Sequence, residues 1–124
     1  MSARVLIVDD TAFMRRMLRD ILVKESFEIA GEAKTGREAV ELYRRTRPDL
    51  VIMDITMPEM DGIAAVREIV GLDAQAQIIM CSALGQDEPI LQALEAGARD
   101  FVVKPFLPAK VLEAVGKVLE ARPY

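Results

Sequence analysis

Residues 4–10 read Arg-Val-Leu-Ile-Val-Asp-Asp. Four apolar residues in a row leave no polar face, so the segment reads as a strand covered on both sides, ending at two carboxylates. The same build returns at residues 49–53, Asp-Leu-Val-Ile-Met, with Asp54 next, and at residues 77–82, Gln-Ile-Ile-Met-Cys-Ser. A shorter run at 101–103, Phe-Val-Val, is followed by Lys104-Pro105, and residues 27–33 supply one more strand. Between these runs the apolar spacing turns helical. Met14, Met17, Leu18, Ile21 and Leu22 predict a helix over about 12–25. Thr35 with Glu38 three residues on fits a capping box, opening a helix over about 36–45 that Pro48 bars from continuing. Met57-Pro58 and Asp61-Gly62 mark a loop, after which Ile63, Val66, Ile69 and Val70 line a third helix. Ile90, Leu91 and Leu94 belong to a fourth, closed by Gly97. Pro108 suits the first turn of a fifth, with Val111, Leu112, Val115, Val118 and Leu119 on its apolar face.

Five strands alternating with five helices predict an α/β fold. Strands apolar on both faces need helices on both sides, and right-handed crossovers favour a doubly wound, five-stranded parallel sheet of order 2-1-3-4-5, flavodoxin-like. Of the 124 residues, 52% are apolar and 29% charged, which is enough to close a core and unlike a disordered chain. One domain over residues 1–124 is expected. Apolar runs reach only about four residues, so no membrane span is expected, and the first residues lack the pattern of a signal peptide. The expected location is the cytoplasm. There is no His, which removes His-based triads, His general bases and His metal ligands. The single Cys81 makes no intramolecular disulfide and no zinc cluster. A net charge of −4 disfavours nucleic acid as a partner.

In such sheets ligands bind at the carboxyl edge, where strand order reverses. Asp9-Asp10 ends the first strand and Asp54 the third, and these strands are neighbours ~4.8 Å apart in the expected order. Ser82 and Lys104 stand at the ends of the two adjoining strands. Three carboxylates that close repel strongly unless positive charge sits among them. Lys104 supplies one charge, and an all-oxygen set with few protein donors suits Mg²⁺ for the rest. A carboxylate beside Mg²⁺ and a lysine is also a reasonable phosphoryl acceptor.

The stretches "VLIVDDTAFMRRML", "MDITMPEMDG", "IIMCSALGQ" and "GARDFVVKPF" resemble the response-regulator receiver domain over essentially the whole chain, and within it the stand-alone chemotaxis regulators of the CheY type. The resemblance implies Asp54 as phosphoacceptor. It implies Mg²⁺ held by Asp9, Asp10, Asp54 and the backbone carbonyl of Thr56, Asp10 more directly and Asp9 partly through water. It implies Lys104 paired with Asp54 at rest and with a phosphoryl oxygen afterwards, and Ser82 as a hydroxyl donor to that group. Phe101 becomes an aromatic switch that swings inward when Ser82 moves, and the Lys104-Pro105 peptide is expected to be cis. Where many relatives carry Tyr, Phe101 has no hydroxyl. Thr56 and Leu84 occupy the positions that tune phosphoryl lifetime in the family. The implied partners are a histidine kinase of chemotaxis and a flagellar motor switch protein, with the chain itself a monomer that self-dephosphorylates slowly.

The same residues admit plainer readings. Phe101 is expected in the core whatever its further role, Cys81 as an inert buried thiol, and Met14, Met17, Met53 and Met80 as core filler. A phosphorelay intermediate or a receiver of another two-component pathway fits the same motifs. A phosphohydrolase working through an aspartyl phosphate lacks its second acid, because Thr56 stands there. A flavin carrier would need a hydroxyl- and glycine-rich loop where Asp9-Asp10-Thr11 stands.

Overall fold

The computed structural model describes residues 2–57, 59–83 and 85–120. Its elements alternate throughout. They run β1 (Arg4–Val8), α1 (Ala12–Lys24), β2 (Glu28–Ala33), α2 (Gly36–Thr46), β3 (Leu50–Asp54), α3 (Gly62–Leu72), β4 (Ile78–Ser82), α4 (Asp87–Ala96), β5 (Asp100–Val103) and α5 (Pro108–Glu120). All strand pairs are parallel, in the order β2-β1-β3-β4-β5. The predicted doubly wound sheet is therefore the observed one, with boundaries moved by a residue or two. One shift matters: β3 includes Asp54, which is thus held by the sheet itself.

The central strands are apolar throughout because they serve two cores at once. Leu6, Val8, Val51, Met53, Ile78 and Met80 belong to one cluster, with residues of α2, α3 and α4. Val5, Ile7, Leu50, Ile52, Ile79, Cys81 and Val102 belong to the other, with residues of α1 and α5. Successive side chains leave a strand on opposite faces, so each continuous run is two interleaved patterns. Full burial of each Val, Leu or Ile stabilises by about 1.5–3 kcal/mol, so the central strands anchor the molecule.

Helix starts are set by side chains. Thr11 accepts from the Met14 N–H at 3.4 Å, Thr35 from Glu38 N–H at 3.1 Å and Asp61 from Ala64 N–H at 2.9 Å. The predicted capping box at Thr35 forms by half: Thr35 caps Glu38 N–H, but the Glu38 carboxylate accepts from Lys34 N–H at 2.9 Å in place of the cap residue's own N–H. Gly97 ends α4 at φ +125°, as its composition suggests. The exit of α2 is left-handed at Arg47, and the Arg4 guanidinium covers the exposed carbonyl of Thr46 at 2.7 Å.

One expectation is corrected. Phe101 is 39% exposed and not a core residue. For Phe101 the reason is position in the sheet: among the described residues β5 is an edge strand, paired with β4 on one side and with no strand on the other. Met53 and Met80 are fully buried, while Met14 and Met17 pack partly buried against the α1 and α5 side.

Gly62 closes the loop that follows β3. Its N–H donates to the Ile55 carbonyl at 2.6 Å, and an added Cβ would overlap the Asp54 carbonyl oxygen and Ile55 backbone. Backbone cannot yield as a side chain end can, so Gly62→Ala is expected to cost roughly 1–3 kcal/mol. Gly116 in α5 has open space at its Cβ position, so Gly116→Ala should stabilise by about 0.5–1 kcal/mol through helix propensity. Urea unfolding of the two variants checks this opposition in sign.

At the amino edge of the sheet, Tyr43 donates its hydroxyl to Asp73 at 2.8 Å, tying α2 to the residue after α3. That bond, with the Gln75 N–H, holds the Asp73 carboxyl below its usual range. A lowered carboxyl stabilises above its unfolded pKa of about 3.9, and the contribution fades as pH falls through the folded value. Tyr43→Phe is expected to cost about 1 kcal/mol at pH 7. The cost should shrink at pH 3 and below, as read from urea midpoints across pH.

Candidate functional site

The order of the sheet sets β1 beside β3, with Val8 opposite Met53. One residue further on, Asp9 and Asp54 continue the faces of Val5-Ile7 and Leu50-Ile52, both on the α1 and α5 side. Lys104 follows Val102 on that same side. The three meet. Lys104 Nζ lies 2.9 Å from Asp9 Oδ2 and 3.1 Å from Asp54 Oδ2. The Lys104–Pro105 peptide is cis, as expected.

Each carboxylate has a distinct setting. Asp9 is fully buried, and its Oδ1 accepts from Thr11 N–H at 2.9 Å and Thr11 Oγ1 at 3.0 Å. Its backbone carbonyl accepts from Arg15 Nη1 at 2.8 Å. Asp54 is 7% exposed. Burial pushes its carboxyl above the usual range, against the pull of Lys104 and the Thr56 N–H, and the Asp9 charge adds to the rise. Burial works against the Lys104 ammonium, but Asp9 and Asp54 outweigh it and hold the group above the usual lysine value. Asp10 is exposed, and among the described residues its carboxylate has no hydrogen bond.

Ligand oxygens of Asp9, Asp10 and Asp54 all lie within 4.8 Å of one another. Two such charges at that separation repel by on the order of 3 kcal/mol at an effective dielectric of ~20. One ammonium against three carboxylates leaves the cluster two charges short of neutral. The donor set is all oxygen, with one member open to solvent, which fits a hard divalent cation. Asp9 is oriented through Oδ1, while among the described residues its buried Oδ2, ion-paired to Lys104, accepts no hydrogen bond, and Asp10 stands open to solvent.

Ser82, on the neighbouring strand, continues Ile78 and Met80 and so lies on the opposite face from Asp54. It is fully buried, and its Oγ has no hydrogen-bond partner among the described residues. A buried hydroxyl without a partner costs about 1–3 kcal/mol, so it stands ready to gain an acceptor. Thr56 is exposed on the loop after β3. Leu84 lies outside the described residues. Cys81 is the Cα partner of Asp54 in the sheet. Burial above all, then the charge of Asp54, raises its thiol far above the ordinary value.

Residues 5–116 match the response regulator receiver domain. The chain belongs to that family. It is 59% identical over 118 residues to the chemotaxis protein CheY of Thermotoga maritima, covering 95% of this chain and 98% of that one. It is 60% identical over 119 residues to CheY of Bacillus subtilis, covering 96% and 99%. A solved receiver, in the CheX-CheY-BeF3-Mg+2 complex from Borrelia burgdorferi, superposes with a TM-score of 0.90 at 43% identity, covering 94% of this chain and 88% of that one.

The receiver's Asp9, Asp10, Asp54 and Lys104 are brought together as the sequence implied, with Ser82 one strand away and Phe101 out at the edge. Three neighbours escaped the sequence reading: Thr11, Arg15 and Gln86. Thr11 carried a signal, since an Asp two residues before a helix-opening Thr forms a local side-chain turn. Arg15 and Gln86 carried none. The raised, buried Cys81 thiol yields a prediction. In the folded receiver it should react with a thiol reagent at pH 8 on the order of 10³-fold more slowly than in urea, because access requires unfolding. Comparable rates in the two states would contradict its burial.

Proposed function

We propose that this receiver is a phosphorylation-activated signalling switch of chemotaxis, with Asp54 as its phosphoacceptor. The observation that carries the reading is the Lys104 ammonium seated between the Asp9 and Asp54 carboxylates, with Asp10 open beside them. A carboxylate held near a fixed cation, in a place prepared for a second one, is positioned to take up a phosphoryl group.

An Asp54 carboxylate oxygen attacks the phosphorus of a phosphohistidine on a histidine kinase. The P–N bond breaks, the imidazole leaves and takes up a proton, and Asp54 becomes a mixed anhydride. Asp9, Asp10, Asp54 and the Thr56 carbonyl are the residues that would hold Mg²⁺. When bound, the ion supplies charge neutralisation at the phosphoryl oxygens. Lys104 passes from the Asp54 carboxylate to a phosphoryl oxygen, and the unpartnered Ser82 hydroxyl donates to another. As Ser82 moves, the exposed Phe101 ring swings inward, and the face of α4, β5 and α5 takes its target-binding form. About 5.5 kcal/mol of state preference suffices to turn a 1:99 mixture into 99:1.

The relatives' role in chemotaxis supports a chemotaxis kinase as donor, the flagellar motor switch as target and the cytoplasm as location. Among the described residues no helix is long and apolar enough to cross a membrane. The reading makes residues 1–124 one receiver domain. With no His and with Thr56 where a phosphohydrolase has its acid, it self-dephosphorylates slowly and does not turn over outside substrates.

Acetyl phosphate with Mg²⁺ should add the mass of one phosphoryl group to the chain, and Asp54→Asn should abolish the gain. Lys104→Ala should retain part of the labelling and lose phosphorylation-dependent target binding. Full labelling of Asp54→Asn, read by intact-mass spectrometry, would remove Asp54 from this role. Transfer from a histidine kinase outside chemotaxis, with no binding to the motor switch protein, would place the receiver in another pathway.

A further inference from the structure

Among helices α1 to α4, three begin on a residue whose side chain caps its own first turn, and α4 does not. Its opening residue, Gln86, turns its carboxamide to two loops. Oε1 accepts from Ala83 N–H at 2.6 Å, and Nε2 donates to Thr56 Oγ1 at 3.2 Å. The orientation follows from chemistry: a backbone N–H only donates, so the amide oxygen must face Ala83 and the NH₂ is left for the hydroxyl. Both ends reach the candidate site. Thr56 stands two residues past Asp54, and its N–H lowers the Asp54 carboxyl. Ala83 follows Ser82, whose hydroxyl is buried without a partner among the described residues. Hydrogen bonds thus run from Thr56, just past Asp54, through Gln86 to the backbone beside Ser82.

We infer that Gln86 is a positioning residue for phosphoryl uptake: it ties the backbone beside Ser82 to Thr56 and so holds the unphosphorylated arrangement. The inference rests on the reading of Asp54 as phosphoacceptor. For the Ser82 hydroxyl to reach a phosphoryl oxygen on Asp54, Ala83 must move with it, and the bond to Gln86 must lengthen or break. A contact made in one state only biases the equilibrium toward that state. Gly85, just before Gln86, sits at φ +88° with open space around its Cβ position, so no packing there opposes a shift. Movement there passes directly into α4, which starts at Asp87. The two bonds are exposed to solvent, so the bias expected from the tie is roughly three-fold, toward the low end for hydrogen bonds.

The experiment is the rate of phosphoryl uptake from acetyl phosphate and Mg²⁺ by the full chain, read by intact mass. Gln86→Met keeps the length and removes both polar ends, and Thr56→Val keeps the shape and backbone carbonyl and removes the hydroxyl. Gln86→Met is expected to label about three-fold faster and to speed hydrogen exchange at the Ala83 amide. Thr56→Val alone should label faster too, and should add nothing in the Gln86→Met background. Mere damage to the fold slows labelling, so a faster rate is not read from it. If wild type labels and Gln86→Met, folded by circular dichroism, labels equally or more slowly, Gln86 has no such role. Additive effects of the two substitutions would equally overturn the tie to Thr56. If wild type takes no label at all, the phosphoacceptor reading fails and this role fails with it.

Discussion

A single ammonium held between two buried carboxylates is the constraint around which the carboxyl edge of this sheet is built. Asp9 and Asp54 come from strands that are neighbours only in the 2-1-3-4-5 order, and Lys104 arrives from two strands further along. Remove any one strand from its place and a charge is buried without its partner, which is among the most costly changes a folded chain can suffer. The rest of the fold serves that meeting. The interleaved cores fix the strands in register, the cis Lys104–Pro105 peptide stands at the end of β5, and Gly62 lets the loop after Asp54 return against the backbone of β3.

The arrangement is incomplete by design of its charges. Asp9 Oδ1 is held by Thr11 and its Oδ2 faces only the Lys104 charge, while among the described residues the Asp10 carboxylate has no hydrogen bond. Asp54 sits between, its carboxyl raised by burial and drawn back by Lys104. Such a centre is open on the solvent side, where Asp10 stands. Ser82 adds an unpartnered donor. The site thus holds unsatisfied positive and negative demand at once, which a phosphoryl group together with a divalent ion would satisfy.

Much of this is legible in the chain itself, for physical reasons. A run apolar on both faces that stops at an acid marks a covered strand reaching a polar edge, so Asp9, Asp10 and Asp54 fall at one end of the sheet. Chain chirality then makes β1 and β3 neighbours. Phe101 departs from expectation because coverage of an edge strand depends on where a helix lies in space, which apolar spacing along the chain does not encode. Gln86 is invisible for a related reason: it meets Thr56 across 30 residues, and a polar residue in a loop has no periodicity to betray its partner. Thr11, by contrast, acts within two residues of Asp9, and short-range chemistry of that kind is written directly in the chain.

The alternation along β3 and β4 has one more consequence. Asp54 belongs to the side packed by α1 and α5, whereas Ser82 belongs to the side packed by α2, α3 and α4. The sheet is therefore a partition as well as a scaffold. The two compartments meet at the rim, where both faces run out and the ends of β3 and β4 stand side by side. A group bound at that rim would touch both compartments at once.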